Sequence, residues 1–114
     1  MEIGFPTHPR KDIIAEIRWI GENGFAFADL FLEPDKNVPE NLDIKKIKDT
    51  LEFYNLKSIG HTAWNLPIGS EHKGLRHAAV RIMKQYLDVF AALNTQRLLF
   101  MPTGLLAYLV IKKV

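Results

Sequence analysis

The sequence contains no cysteine, and this absence limits the chemistry that the chain can support. Disulfide bonds and thiolate metal sites are excluded, so any bound metal must use histidine and carboxylate ligands. The glycine-rich phosphate loops of nucleotide-binding proteins and the G-x-S-x-G motif of serine hydrolases are also missing. Nucleotide binding through such loops and serine hydrolysis are therefore unsupported.

Long apolar runs and a strong excess of charge are missing as well. The most apolar segment, residues 98–111, is interrupted by proline and glycine and is shorter than the roughly 20 residues of a membrane-spanning helix. The first six residues lack the pattern of a secretory signal. The net charge is only +2, and the lysines at 45, 46 and 48 are flanked by Asp43 and Asp49. We therefore expect a cytoplasmic protein with no membrane or nucleic-acid partner.

The chain does contain a regular alternation of short apolar runs and amphipathic segments. Its 114 residues, 47% of them hydrophobic, are typical of one globular domain spanning 1–114. Strands are predicted at 3–5, 25–32, 57–60 and 97–101, the second of them buried on both faces. Helices are predicted to begin after Asp12, near Ile44 and after Ser70, and to end near Asn23, Asn55 and Asn94. This β-α-β-α-β-α-β order predicts an α/β fold with a parallel sheet of about four strands.

Side chains with useful chemistry follow three of the predicted strands. These are His8, Glu33, His61 and Trp64, and the carboxyl ends of parallel strands share one edge of the sheet. Two imidazoles and a carboxylate suit zinc, manganese or iron. Each is also explained as an ordinary loop residue, and Trp64 either covers apolar surface or forms a stacking platform. Asp29, inside an apolar strand, requires a polar partner.

Several motifs resemble the xylose-isomerase-like TIM-barrel superfamily. They are the run IGHTAWNLPI at 59–68, the segment RHAAV at 76–80, the pair YL at 86–87, and the strand-like stretch at 25–34. The superfamily contains sugar phosphate isomerases and epimerases together with endonuclease-IV-type AP endonucleases. The resemblance covers residues 1–101, whereas residues 102–114 form an atypical apolar tail that could be a short helix or a further strand.

The resemblance implies an eight-stranded barrel with a divalent metal (zinc, manganese or magnesium) at the carboxyl ends of its strands. His61 matches a metal ligand of the endonuclease branch, and Glu33 is the second candidate ligand. Trp64 matches an aromatic residue at the substrate groove, and His8 is the other candidate substrate-binding residue. The implied substrate is a small sugar or sugar phosphate, and no catalytic residue is assigned.

The sequence also departs from the superfamily pattern. Met101 and Pro102 stand where a second histidine is expected, and the ligands of strands five to eight fall beyond residue 114. We therefore expect a truncated, half TIM barrel that two copies complete as a homodimer. Four functions remain as alternatives. The first is a metal-dependent sugar isomerase or epimerase, and the second is a non-catalytic half-barrel remnant that oligomerises. The others are an endonuclease-IV-like AP-site phosphodiesterase fragment and a small α/β binding module. The near-neutral charge favours a sugar over DNA.

Overall fold

A single sheet of four parallel strands organises the fold. The computed structural model describes residues 1–62 and 65–100, so Trp64 and the tail at 102–114 lie outside the described residues. Within them the order is β1 (Gly4–Pro6), α1 (Ile13–Glu22), β2 (Phe27–Leu32), a 3-10 turn (Pro39–Asn41), α2 (Ile44–Phe53), β3 (Lys57–Thr62), α3 (Lys73–Ala92) and β4 (Arg97–Phe100). The strands lie in the order β1-β2-β3-β4, and every neighbouring pair is parallel. The predicted α/β architecture is confirmed.

Aspartates begin the first two helices. The carboxylate of Asp12 accepts a hydrogen bond from the backbone N–H of Ala15 at 2.9 Å, and that of Asp43 accepts one from Lys46 at 3.0 Å. Each bond satisfies a donor that the first helical turn leaves unpaired. The predicted start of α3 after Ser70 is wrong. The hydroxyl of Ser70 accepts the N–H of His72, and the helix begins only at Lys73.

Strand β2 differs from its prediction in two ways. It begins at Phe27 rather than at residue 25, and it is fully buried on one face only, because burial alternates along its six residues. Ala28, Leu30 and Leu32 are buried beneath the helices, whereas Asp29 and its neighbours on the other face are half-buried. The reason is that no helix among the described residues covers this second face of the sheet.

Strand β3 is longer than the sequence predicts, and this changes the position of His61. The strand continues to Thr62, with His61 paired between Phe31 of β2 and Leu99 of β4. His61 therefore lies inside the strand near its carboxyl end rather than in the loop that follows. A strand residue is held by neighbours on both sides, which fixes its side chain more firmly than a loop would.

The hydrophobic core lies between the sheet and the three helices. Its fully buried members include the side chains of Ile17, Ile20, Leu30, Leu32 and Ile47. Helix α3 reaches this core through Phe90, whose ring lies directly against the backbone of Gly60 on β3. No helix in the part of the chain that the structure describes has both the length and the apolar composition needed to cross a membrane.

We expect Gly60→Ala to destabilise the fold by about 1–3 kcal/mol, because the added methyl group would overlap the ring of Phe90 in a closely packed core. The measurement is the free energy of unfolding from urea denaturation. Gly74→Ala is the matched control, since a Cβ at Gly74 in α3 meets no atom within 4 Å. An unchanged stability in Gly60→Ala would contradict the packing described here.

Candidate functional site

The candidate site lies at the edge of the sheet formed by the carboxyl ends of the strands. His8 follows β1 by two residues, Glu33 follows β2 directly, and His61 lies in the last two residues of β3. Since the strands are parallel, the structure places all three at the same edge, as the sequence predicts. The loops after β1 and β2 are joined there by Asn37, a buried residue whose amide donates to the carbonyl oxygen of His8.

A hydrogen bond between Asp29 and His61 forms the centre of the site. The Oδ1 atom of Asp29 lies 2.6 Å from Nδ1 of His61, and the two side chains are only 15% and 17% exposed. Asp29 is the register partner of Ile59, so the bond runs diagonally from β2 to β3 on the face of the sheet that the helices leave uncovered. Asp29 thus has the polar partner that its place in an apolar strand requires.

The ring of Phe31 holds the imidazole of His61 in place. The two rings stack with their centroids 4.4 Å apart and their planes 9° from parallel. They are register partners on adjacent strands, so the stacking follows directly from the pairing of β2 with β3. The imidazole is therefore fixed by a hydrogen bond at one nitrogen and by an aromatic neighbour on its face.

Thr7 supports the same part of β2 from the other side. Its backbone N–H donates to the carbonyl oxygen of Asp29 at 2.8 Å, and its hydroxyl accepts the N–H of Phe31 at 3.0 Å. Thr7 is 3% exposed, so both bonds are shielded from water. They continue the pairing of β1 with β2 past the end of β1 and fix the backbone that carries Asp29 and Phe31.

The hydrogen bond to Asp29 determines which nitrogen of His61 carries a proton. An ionised carboxylate only accepts hydrogen bonds, so Nδ1 of His61 must be the donor. In the neutral imidazole this leaves Nε2, on the far side of the ring from Asp29, with a free electron pair. That nitrogen can accept a proton from a hydroxyl group or bind a metal.

His8 has the opposite arrangement. Its Nδ1 atom accepts the backbone N–H of Arg10 at 3.1 Å, and its own backbone N–H donates to the carboxylate of Glu16 at 3.0 Å. The residue is exposed. Its contacts explain its place as a hydrogen-bonded loop residue, and the proton of its neutral ring must lie on Nε2.

Glu33 lies within electrostatic reach of helix α3. The pKa of Tyr86 is raised to about 12, mainly because the phenol is buried and further because of the negative charges of Glu40 and Glu33. Glu33 is half-buried at the point where β2 ends. Among the described residues, no three histidine or acidic side chains form a group that could hold a metal ion, so the ligand pair His61 and Glu33 stays a prediction.

Sequence reasoning missed two of the residues that build this site. The apolar strand predicts that Asp29 needs a polar partner but does not identify His61 as that partner, and the sequence assigns no role to Phe31 or Thr7. The available signal was the two-residue period of β2 and β3, which places Asp29, Phe31 and His61 on one face once the register is known. His72 and His77 are exposed, as expected of surface residues.

Comparison with known proteins supports the fold. No family model and no curated protein matches the sequence. Two solved structures of D-allulose 3-epimerase from Methylomonas sp. are similar to this chain, one with additional C-terminal residues (TM-score 0.71, 20% identity) and one in complex with D-allulose (TM-score 0.69, 18% identity). Each match covers 88% of this chain but only 36% of the solved chain. At this identity the similarity shows a fold that matches part of a TIM barrel.

We expect neutral His61 to carry its proton on Nδ1 and neutral His8 to carry it on Nε2. Long-range 1H–15N NMR correlations of the two imidazoles distinguish the tautomers. In Asp29→Ala the acceptor is lost, so His61 should move toward the Nε2–H form while His8 stays unchanged. The same tautomer for both residues in the unaltered chain would contradict the hydrogen bonds described above.

Proposed function

We propose that this chain is part of a sugar isomerase or epimerase of the xylose-isomerase-like type, and that it binds a small sugar or sugar phosphate at the carboxyl edge of its sheet. The observation that carries the proposal is the Asp29–His61 pair, held at that edge of a fold similar to D-allulose 3-epimerase. Because the chain covers about a third of that enzyme's length, the activity of a whole enzyme is part of the proposal.

His61 is the residue that contacts the sugar in this proposal. Its Nε2 atom accepts the proton of a sugar hydroxyl, while Asp29 keeps Nδ1 protonated and stabilises the imidazolium that forms. The stacked ring of Phe31 prevents the imidazole from rotating away from the substrate. His8, at the same edge, and Trp64 are the further substrate-binding residues that we propose.

A divalent metal is the alternative occupant of Nε2 of His61 in this proposal, because the single electron pair of that nitrogen binds either a proton or a metal. Histidines that bind a metal through one ring nitrogen commonly donate a hydrogen bond to a carboxylate through the other. His61 has this arrangement, because its Nδ1 is hydrogen-bonded to Asp29, so it fits the role of a metal ligand. Glu33 would supply an oxygen ligand at the same edge. These are two ligands where a catalytic site uses about three, so the remainder must come from outside the described residues. A bound metal would polarise a carbonyl oxygen of the sugar.

We also propose that the chain acts as a homodimer. Strands β1 and β4 each pair with one neighbour only in the described part of the chain, which leaves two edges of the sheet open. A second copy covers such edges and adds its own His61 and Glu33 to the same barrel. The alternative is a non-catalytic scaffold, which the following measurements separate from a working site.

We expect D-allulose to shift the 1H–15N NMR signals of residues around Thr7, Asp29 and His61, and we expect His61→Gln to weaken the binding by about tenfold, because a hydrogen bond to a polar substrate group is lost. His72→Gln and His77→Gln are matched controls, since both residues are exposed and lie outside the site. If the three variants bind the sugar equally well, His61 has no role in recognition.

We expect purified protein to retain zinc or manganese after dialysis, and we expect His61→Ala to lose it. Metal content is measured by inductively coupled plasma mass spectrometry and compared with Glu33→Gln, which should bind the metal more weakly. His72→Ala serves as the control for nonspecific histidine binding. Equal metal contents in all samples, or none in any, would remove the metal from the proposal.

A further inference from the structure

Apolar side chains are exposed beside the β1 edge of the sheet. Phe5 and Trp19 lie against each other with ring centroids 5.1 Å apart and are 42% and 46% exposed, and both contact Phe25. Ile3, two residues before Phe5 and on the same side of the strand, is 60% exposed. Aromatic rings of this size contribute strongly to interfaces, so this surface has the composition of a contact site.

A second apolar surface lies beside the β4 edge, at the other end of the sheet. Here α3 and β4 form an open groove of about 470 Å³, lined by Ile68, Val80, Met83, Lys84, Leu87 and Leu98. Val80 and Leu87 are more than 40% exposed. On the uncovered face of the same strand, Leu99 is 53% exposed. Both edges of the sheet therefore carry apolar surface on the side of the helices.

We infer that these two surfaces bind each other between two copies of the chain, so that β4 of each copy pairs in parallel with β1 of the other. This inference rests on the proposed function, because it names the second copy in the homodimer proposed there. A twofold axis along the strands brings both contacts about at once and closes eight parallel strands into a barrel.

The register of the new strand pair follows from barrel geometry. Straight across the sheet, Pro6 is paired with Asp29, Asp29 with Ile59, and Ile59 with Arg97. An eight-stranded α/β barrel has a shear of about eight residues, so crossing four strands displaces the register by about four. The right-handed crossovers set the order of the strands around the barrel, and with the right-handed twist of the strands this directs the displacement toward the amino terminus. Arg97 therefore lies beside Glu2 of the partner subunit.

The side chains that this register brings together are complementary. Arg97, which is exposed, meets the carboxylate of Glu2 of the partner subunit, whose side chain is 65% exposed. On the side of the helices, Leu98 meets Ile3 of the partner subunit. Leu99 lies beside Gly4 of the partner subunit, where the ring of Phe27 covers the glycine and offers Leu99 an apolar contact. If the register between β4 and the partner's β1 shifted by one residue, Arg97 would lie beside a residue that points to the opposite face of the sheet. The alternation of side chains along both strands therefore selects this register.

The first test reverses charges at the new pair. We expect sedimentation equilibrium to show a dimer of the full chain, and we expect Arg97→Glu or Glu2→Arg alone to raise its dissociation constant by about tenfold or more, because like charges then face each other. The double variant should restore the dimer. Lys57→Gln is the control, since it removes the ion-pair partner of Glu2 within the chain without changing Arg97.

The second test uses the absence of cysteine from the natural sequence. Within one copy, Glu2 and Arg97 are separated by the width of the sheet, about 14 Å or more, which a disulfide cannot span. We expect Glu2→Cys/Arg97→Cys to give a disulfide-linked dimer on mild oxidation, and we expect neither single cysteine variant to do so. A ladder of higher oligomers would show open association and overturn the closed barrel.

Binding of D-allulose, measured on the same samples, separates failure of this inference from failure of the proposed function. If the chain is monomeric and binds the sugar, the proposed interface is wrong and the proposed sugar site is retained. A dimer with the expected cross-link that binds no sugar supports the interface and overturns the proposed function. A monomer whose variants all sediment like the unaltered chain also overturns the inference.

Discussion

The parallel pairing of β2 with β3 is the constraint on which the rest of the structure depends. Its register sets Phe31 beside His61 and places Asp29 two pairs earlier on the same face, so the stacking and the hydrogen bond of the site both follow from one alignment. The same alignment directs the alternate residues of both strands into the core under the helices. A shift by one residue would bury the polar pair in the apolar core and expose the core residues to water, so the core and the site select the same register.

The sequence predicts the order of the elements well because each helix has an apolar stripe of its own and most ends have a capping residue. Asp12 is such a cap, and Asn55 and Asn94 follow their helices with the positive φ angles that asparagine tolerates. The start of α3 escaped prediction because Ser70 bonds the backbone in a turn rather than in the first helical turn. Local hydrogen bonds of this kind compete with capping and are decided by tertiary packing.

The candidate site was predicted only in part, for a related reason. The common edge of His8, Glu33 and His61 follows from parallel topology, which the alternation of elements implies. The pairing of Asp29 with His61 requires the register between two strands, and that register is set by contacts among residues 32 positions apart. The uncovered face of β2 was also not evident, because half-buried phenylalanines resemble core residues in a sequence.

The uncovered face connects the site with assembly. Asp29 and His61 share this face with Leu99, and water still reaches it in a single copy. Covering it with a second copy would lower the local dielectric and strengthen every polar contact within the barrel, including the hydrogen bond that orients His61. A site built on this face would therefore gain both shielding and precision from the closure proposed above. The proposed closure would bury Leu99, which is 53% exposed in a single copy, and would shield the imidazole of His61 at the same time.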